Sequence, residues 1–205
     1  RDERWGRTYE GFGEIPELVA SLGAAYVRGL QGDNFDAEWR VPATVKHFLG
    51  DGATDKGYDR GNATISEEEL NAIHLPPYIA AIEQGVQSVM ASFNQVNGVH
   101  QHVDSLRLTV LLKKELGFDG YVIADWEGIE NSKRPGEAGN YSGSHTGVSS
   151  TEAVRNAINA GIDMAMVPQS ASTFISSMKS LVSSGQISQE RLKDAVRRIL
   201  RVKIR

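Results

Sequence analysis

Short apolar runs alternate with longer amphipathic segments along the chain. The short runs are rich in Val, Ile, Met and Phe, and their length is typical of strands that are buried on both faces of a sheet. They predict four strands, at residues 41–49, 88–94, 120–126 and 163–168.

The segments between these runs predict helices, because their apolar residues recur at helical spacing and capping residues stand at their ends. Ser66 and Glu69 form a capping box, and Gly85 ends the segment that they open. These signals predict five helices: residues 16–29, 66–84, 104–117 (capped by Asp104), 149–161 (capped by Ser149) and a last helix that begins at Ser188.

Strands that alternate with helices of this length indicate βα units and a parallel sheet, so the predicted fold class is α/β. Right-handed crossovers leave two arrangements, a (β/α)8 barrel or an open doubly wound sheet, and periodicity does not choose between them. About four strand–helix units are visible, which is roughly half of a barrel. We therefore expect residues 1–205 to be a single incomplete domain of a longer protein.

Three long loops interrupt the pattern, at residues 50–65, 94–104 and 127–150. The first and third follow strands directly, which places them at the C-terminal face of a βα architecture, where barrel enzymes have their sites. Long loops in a compact domain are usually functional or disordered. The chemistry is therefore expected at this face.

The composition argues against several kinds of partner. The formal net charge is -4 with both signs mixed, so the chain lacks the basic stripe that binds nucleic acid. No run approaches the roughly 18 apolar residues of a membrane span. Cysteine is absent, which excludes disulfides and thiolate metal sites. We expect no nucleic acid, membrane, metal or cofactor as a partner.

Asp125 is the strongest candidate for chemistry. It stands at the C-terminal end of the predicted strand 120–126 with Trp126 beside it, and a carboxylate there can act as a nucleophile, a base or a metal ligand. The plainer role is to cap the following turn. Asp163 precedes its strand and faces the opposite rim, so we expect it to be structural.

Other polar residues are weaker candidates by position alone. Lys46 and His47 end the first strand in an apolar run, where they form either a satisfied core pair or a grip on a hydroxylated substrate. Arg7 lies in an irregular segment, and a surface ion pair is the simpler interpretation. His100 and His102 have no third ligand nearby, so they are expected to be ordinary loop histidines.

Three stretches together resemble successive signatures of family 3 glycoside hydrolases. They are RDERWGRTYE at residues 1–10, KHFLGDG at 46–52 and GFDGYVIADW at 117–126. Supporting stretches are SVMASFN at 88–94, GIDMAMVP at 161–168 and AVRRILRVK at 195–203. The resemblance covers nearly the whole chain and is nearest to the β-glucosidase and β-glucan exohydrolase branch.

The resemblance implies the second half of an N-terminal catalytic (β/α)8 barrel. It also implies a retaining enzyme that hydrolyses terminal non-reducing β-D-glucosyl residues of β-linked gluco-oligosaccharides, with Asp125 as the nucleophile. Arg7, Lys46 and His47 match residues that hydrogen-bond the sugar in the first subsite, and Trp126 matches an aromatic residue beside the nucleophile. The implied location is the periplasm or the extracellular space.

Two departures from the family pattern matter. Many relatives have a tyrosine near the position of Phe93, where its hydroxyl supports the nucleophile; Phe93 can line that subsite but cannot donate the bond. The loop at residues 55–62 lacks the histidine with which the β-N-acetylglucosaminidase branch donates its proton, which favours the glucosidase branch. The acid/base is then implied to be a glutamate of a second domain, outside these residues, and this chain alone is expected to be nearly inactive.

Three alternatives keep the fold and change the chemistry. One is a catalytically inactive carbohydrate-binding barrel. Another is a lyase or isomerase that uses Lys46 as a Schiff base, and the third is a metal-dependent hydrolase that uses His47, Asp51 and Asp125. The chain by itself is also expected to aggregate, because its barrel cannot close.

Overall fold

The structure is a computed structural model that describes residues 3–32, 39–132 and 151–204. Six strands occur within these residues: β1 (Thr44–Phe48), β2 (Asn62–Ala63), β3 (Ser88–Ala91), β4 (Gln95–Val96), β5 (Val99–His100) and β6 (Tyr121–Ile123). The α-helices there are α1 (Pro16–Gln31), α2 (Glu67–Glu69), α3 (Pro76–Glu83), α4 (Thr151–Ala160), α5 (Ala171–Ser183) and α6 (Gln189–Lys203). Two further segments, Leu70–His74 and Leu106–Glu115, are wound as π-helix.

The central sheet is parallel and its strands follow in the order β1-β3-β6. Ser88 pairs with Thr44 on one side and with Tyr121 on the other. Ile123 then pairs in the same parallel sense with Met164, which adds the fourth predicted run at the edge. Each strand lies beside the previous one with no reversal of order, as in a segment of a barrel.

The fourth predicted strand, residues 163–168, is wrong as a full strand, because it makes a single bridge to the sheet. Side chains take main-chain donors that a regular ladder would use. The Trp126 N–H bonds to the Asp125 carboxylate, so Glu127 and not Trp126 donates to the Met166 carbonyl. The Asp163 carboxylate accepts the Val122 N–H at 2.8 Å, a donor that a longer ladder would pair with a main-chain carbonyl.

The predicted helix caps are confirmed at three positions. The Ser66 hydroxyl accepts the Glu69 N–H at 3.0 Å, and the Ser188 hydroxyl accepts the Arg191 N–H at 3.1 Å. Asp104 accepts the Arg107 N–H at 3.1 Å. The predicted cap Ser149 lies outside the described residues.

Two helix predictions differ from the structure. The segment predicted as one helix over residues 66–84 is divided into α2, a π-helical stretch and α3, and α3 begins at Pro76 because proline has no N–H to continue the preceding ladder. Helix α5 is absent from the sequence-based prediction. Its sequence is rich in serine, but Phe174, Met178 and Leu181 recur at helical spacing and pack against the core, and that pattern could have revealed it.

A second, smaller sheet joins two of the predicted loops. Strand β2, from the loop at residues 50–65, pairs parallel with β4, and β4 pairs antiparallel with β5 inside the loop at residues 94–104. The Asn97 side chain adds two bonds to the backbone of Ile65, at 3.1 and 2.7 Å. These loops therefore form one substructure, whereas the third loop is described only as far as residue 132.

Asp163 anchors the rim opposite the strand ends, in agreement with its expected structural role. Its side chain is fully buried and lies 2.8 Å from the Lys113 ammonium and 2.5 Å from the Arg191 guanidinium. Burial lowers the pKa of Lys113 to about 8, against the opposing effect of Asp163. Among the residues that the structure describes, no helix is long and apolar enough to cross a membrane.

Candidate active site

A polar pocket of about 250 Å³ lies at the C-terminal ends of the parallel strands. Asp125 follows β6, His47 belongs to β1, and Ser92 and Phe93 follow β3. The pocket is lined by Arg7, His47, Asp51, Asp59, Arg60, Ser92, Phe93 and Asp125. Of the residues predicted from the sequence, the fold thus brings together Arg7, His47, Phe93 and Asp125.

His47 lies at the centre of the pocket and is buried. Its Nδ1 atom is 2.9 Å from Oδ2 of Asp51, and its Nε2 atom is 3.5 Å from Oδ2 of Asp125. Nη1 of Arg7 lies 3.4 Å from the same Nε2 atom. The imidazole therefore connects the strand-end carboxylate with a cation and with a second carboxylate.

The backbone around His47 is fixed by a buried tyrosine. The Tyr78 hydroxyl donates a hydrogen bond to the His47 carbonyl at 2.6 Å, and burial raises the pKa of that hydroxyl. The Tyr78 ring meets Phe48 edge-on, with the centroids 5.0 Å apart. The peptide bonds Lys46–His47 and Phe48–Leu49 are both cis.

Arg7 makes the ion pair expected from its sequence and also contributes to the pocket. Its Nε and Nη2 atoms bind the two carboxylate oxygens of Glu10, at 2.9 and 2.8 Å. The bond to Glu10 raises the pKa of the guanidinium, which stays charged. Since both contacts to Glu10 leave Nη1 directed at His47, the ion pair orients Arg7 toward the pocket.

The two oxygens of the Asp125 carboxylate have different surroundings, one in the turn and one in the pocket. Oδ1 accepts the N–H of Trp126 at 2.6 Å, as expected for a residue that caps a turn. Oδ2 faces His47 within the pocket. The two interpretations of Asp125 are therefore compatible, because each uses a different oxygen.

Two predicted residues lie outside the polar pocket. Lys46 is exposed rather than buried, because alternate residues of β1 point to opposite faces, and it lines a neighbouring cavity of about 350 Å³. Trp126 is 51% exposed and does not line the pocket. Glu10 also lines the larger cavity; its pKa is lowered, first by the bond to Arg7 and to a smaller extent by Lys46.

Sequence reasoning missed the contribution of the loop residues Asp59 and Arg60. The Arg60 guanidinium lies 4.3 Å from the centroid of the Phe93 ring, which is the geometry of a cation–π contact. Phe93 itself is 8% exposed. The available signal was the density of charged residues in the loop at residues 50–65.

His100 and His102 belong to the loop at residues 94–104, as expected, but their burial was not foreseen. Both are buried, because the β4–β5 hairpin folds back under the pocket rather than into solvent. Burial lowers the pKa of His100 to about 4 and that of His102 well below its usual value. Nε2 of His102 accepts the main-chain N–H of Asp125 at 3.0 Å.

The proposed metal set of His47, Asp51 and Asp125 does not converge on one point. The two carboxylates face opposite nitrogens of the imidazole, so a single ion cannot bind both and His47 together. No group of three His, Cys, Asp or Glu side chains suited to a metal ion occurs in residues 3–32, 39–132 and 151–204.

The fold and the pocket define a barrel-type α/β protein with a carboxylate, an imidazole and a guanidinium at the C-terminal ends of its strands. The model of the Glycosyl hydrolase family 3 N terminal domain matches residues 1–202, and the chain belongs to that family.

Solved structures and curated proteins agree with this assignment. The chain superposes on an exo-1,3/1,4-β-glucanase from a Pseudoalteromonas species with a TM-score of 0.86 and 44% identity, over 100% of this chain and 24% of that one. It is 38% identical to a lysosomal β-glucosidase of Dictyostelium discoideum, over 97% of this chain and 24% of the relative. A periplasmic β-glucosidase of Salmonella typhimurium is 34% identical, over 99% of this chain and 25% of the relative.

These similarities have two consequences. The fold is that of part of a (β/α)8-type barrel, as the resemblance implied, which decides between the two arrangements that periodicity left open. The chain spans about a quarter of the length of the relatives that it matches.

Proposed function

We propose that the complete protein is a retaining β-glycosidase that releases terminal non-reducing β-D-glucosyl residues from β-glucosides or β-linked gluco-oligosaccharides, with Asp125 as the nucleophile. The observation that carries the proposal is the polar pocket in which Oδ2 of Asp125 lies 3.5 Å from His47, with Arg7 beside both. The names of the relatives support the substrate class, since they are β-glucosidases and an exo-β-glucanase.

Asp125 would react through its inward-facing oxygen. Oδ2 attacks the anomeric carbon as the bond to the leaving oxygen breaks, through a transition state that resembles an oxocarbenium ion. The product of this step is a covalent glycosyl-enzyme, which water then hydrolyses with retention of configuration. Oδ1 stays bonded to the Trp126 N–H, so the carboxylate cannot rotate freely during the attack.

The remaining pocket residues would bind the sugar. Arg7 can donate hydrogen bonds to hydroxyl groups, and Nε2 of His47 can accept one, since Nδ1 donates to Asp51. Each residue has an acidic partner, Glu10 or Asp51, that fixes its orientation. Lys46 reaches the sugar from the neighbouring cavity in this proposal. Phe93 and Trp126 offer aromatic surface to the apolar face of the ring.

A retaining glycosidase needs a second carboxyl group about 5–5.5 Å from the nucleophile to protonate the leaving oxygen. We propose that a glutamate of a second domain of the complete protein supplies it, and that residues 1–205 form one incomplete N-terminal barrel domain. We further propose a periplasmic or extracellular location, in line with the periplasmic relative.

The test is covalent trapping in the complete protein. A 2,4-dinitrophenyl 2-deoxy-2-fluoro-β-glucoside has a leaving group that needs no acid, so it tests the nucleophile independently of the acid/base. We expect peptide mass spectrometry to find a fluoroglucosyl adduct on Asp125 and none in Asp125→Asn. Asp59→Asn is the matched control, because it changes a second carboxylate of the same pocket and should still be trapped.

Two outcomes contradict the proposal. An adduct on another carboxylate would show that Asp125 is not the nucleophile. No adduct, with glucose binding still measurable by calorimetry, would establish the alternative of an inactive carbohydrate-binding barrel.

A further inference from the structure

His102 has an unusual environment for a histidine in a loop. It lies in the short turn Gln101–Val103 after β5, and none of its surface is exposed. Its ring packs between two aromatic neighbours, with centroid distances of 5.6 Å to Phe93 and 5.2 Å to His100. The β4–β5 hairpin and the turn after it thus place both imidazoles in the interior below the pocket.

The hydrogen bond to Asp125 fixes the protonation state of this imidazole. A main-chain N–H can only donate, so Nε2 of His102 is the acceptor at 3.0 Å and the ring proton resides on Nδ1. Burial lowers the pKa of His102 well below its usual value, which is consistent with a neutral ring. The acceptor is therefore available over the ordinary pH range.

The position of the ring is determined from two further sides. The His102 N–H donates to Nδ1 of His100 at 3.3 Å, which fixes the backbone from which the ring projects. On the other side lies Gly128, where an added Cβ would stand 2.2 Å from Nε2 of His102. Gly128 in turn donates its N–H to the Asp125 carbonyl at 2.9 Å. The turn that follows Asp125 is therefore shaped around the imidazole.

We propose that His102 is a positioning residue for Asp125. By accepting the N–H of Asp125, it holds the peptide plane from which the side chain leaves the strand end, and so it sets where Oδ2 lies relative to His47 and the substrate. His102 does not touch the sugar in this arrangement. The inference rests on the proposed function, because it assigns Asp125 the reacting carboxylate.

The expected effect is a loss of reaction rate with little loss of binding. A displacement of a reacting group by about 1 Å costs on the order of 100-fold in rate, whereas sugar contacts made by Arg7 and His47 remain. We expect His102→Leu, which keeps the bulk and removes the acceptor, to slow formation of the fluoroglucosyl adduct by about 10- to 100-fold. The dissociation constant for glucose should change by less than about 3-fold, since this bond orients the nucleophile and not the sugar.

Two matched variants of the complete protein separate positioning from packing. His102→Gln places an amide oxygen near the position of Nε2 and should restore the trapping rate to within about 3-fold of the unmodified protein. His100→Asn changes the neighbouring buried histidine but keeps an acceptor for the His102 N–H, so it should slow trapping much less than His102→Leu does. Equal losses in His102→Leu and His102→Gln, or an equal loss in His100→Asn, would overturn the proposal.

A second variant covers the case in which His102→Leu does not fold. Gly128→Ala would place a methyl group against the Nε2 edge of the imidazole, which accepts the Asp125 N–H, and should slow trapping in the same way. His102→Ser removes the ring that the methyl group would press on. In that background, Gly128→Ala should reduce the trapping rate little further than His102→Ser does alone. If the two losses of rate were fully additive, the inference would be contradicted. If the adduct on Asp125 forms at the normal rate in His102→Leu, the positioning role is refuted and the proposed function stands. If the unmodified protein forms no adduct on Asp125, the proposed function itself is refuted.

Discussion

Nδ1 of His47 lies 2.9 Å from Oδ2 of Asp51, four residues further along the chain. The contact depends on Gly50, two residues after the end of β1, whose φ of 84° turns the chain back toward His47. Because the carboxylate accepts from Nδ1, Nε2 is the nitrogen that faces Asp125 and the pocket. Asp51 thus determines which ring nitrogen of His47 faces the pocket.

Removal of this carboxylate should impair turnover. We expect Asp51→Ala to lower kcat/KM on an aryl β-glucoside by about 10- to 100-fold, since a ring that is free to rotate no longer presents Nε2 reliably. Asp51→Asn keeps an oxygen acceptor for Nδ1–H and should lose less. Equal activity of Asp51→Ala and the unmodified protein in steady-state assays would show that His47 needs no orienting partner.

A glycine contact couples the segment of Arg7 to the loop at residues 50–65. Gly57 has a φ of 71°, and an added Cβ would lie 2.6 Å from the backbone of Arg4 and Trp5. We expect Gly57→Ala to raise KM by about 10-fold, because the segment that carries Arg7 must move. Gly98→Ala is the control. Gly98 has a φ of 83°, and an added Cβ there would meet no neighbouring atom. This substitution should therefore lower the free energy of unfolding by on the order of 1 kcal/mol, the strain of a left-handed residue, and leave KM unchanged.

The buried ion pairs of Asp163 should dominate the stability of the opposite rim. Asp163→Ala leaves Lys113 and Arg191 without their shared carboxylate and removes the acceptor of the Val122 N–H. We expect a loss of about 3–5 kcal/mol in the free energy of unfolding. Asp194→Ala removes a 45% exposed partner of Arg191 and should cost less than about 1 kcal/mol. Denaturant unfolding of the complete protein distinguishes the two, and similar losses would contradict the assignment.

Acid should destabilise the fold through its buried histidines. Burial holds the pKa of His100 at about 4, whereas the unfolded side chain titrates near 6.5. The unfolded chain therefore binds a proton first, and the stability present above pH 6.5 is lost as the pH falls toward 4, by roughly 3 kcal/mol for this residue.

The measurement is the melting temperature of the complete protein between pH 7 and pH 4.5, compared with that of His100→Asn. The variant cannot take up this proton, so its melting temperature should fall less steeply with pH. Parallel curves for the two proteins would show that folding does not lower the pKa of His100.

The chain by itself should aggregate. Helix α1 and the residue before it expose a row of apolar side chains: Ile15, Leu18, Leu22 and Tyr26 are between 42% and 60% exposed. The outer strands of the described sheet also offer unpaired edges. We expect oligomers or precipitate in light scattering, and replacement of Leu18 and Leu22 by lysine should reduce them. A cooperatively melting monomer would contradict this expectation.

The strand cores and helix caps could be predicted because they depend on local chemistry. The apolar runs predict β1, β3 and β6, and the capping residues Ser66, Asp104 and Ser188 act as their sequence context indicates. The predictions that were wrong concern elements in which side chains or proline interrupt the regular main-chain hydrogen bonds. The last predicted strand is interrupted because the side chains of Asp125 and Asp163 take main-chain donors of the neighbouring strand, and one predicted helix is divided at Pro76.

The pocket was only partly predictable for a different reason. Arg7, His47 and Asp125 come from distant parts of the chain, and the family resemblance, not their spacing, brought them together in advance. The role of His102 could not be seen, because a histidine's burial depends on how its hairpin folds and not on its neighbours in sequence. The exposure of Lys46 could not be predicted, because an apolar run does not reveal which face of its strand is covered.

The small sheet of β2, β4 and β5 limits how the loops of this domain can be exchanged with those of a relative. One loop supplies Asp51, Asp59 and Arg60, the other supplies His102, and main-chain bonds join the two. A chimera that replaces only one of them breaks the β2–β4 pairing and disturbs residues encoded elsewhere. Engineers who wish to alter the specificity of this domain should therefore transplant both loops together, as a single cassette.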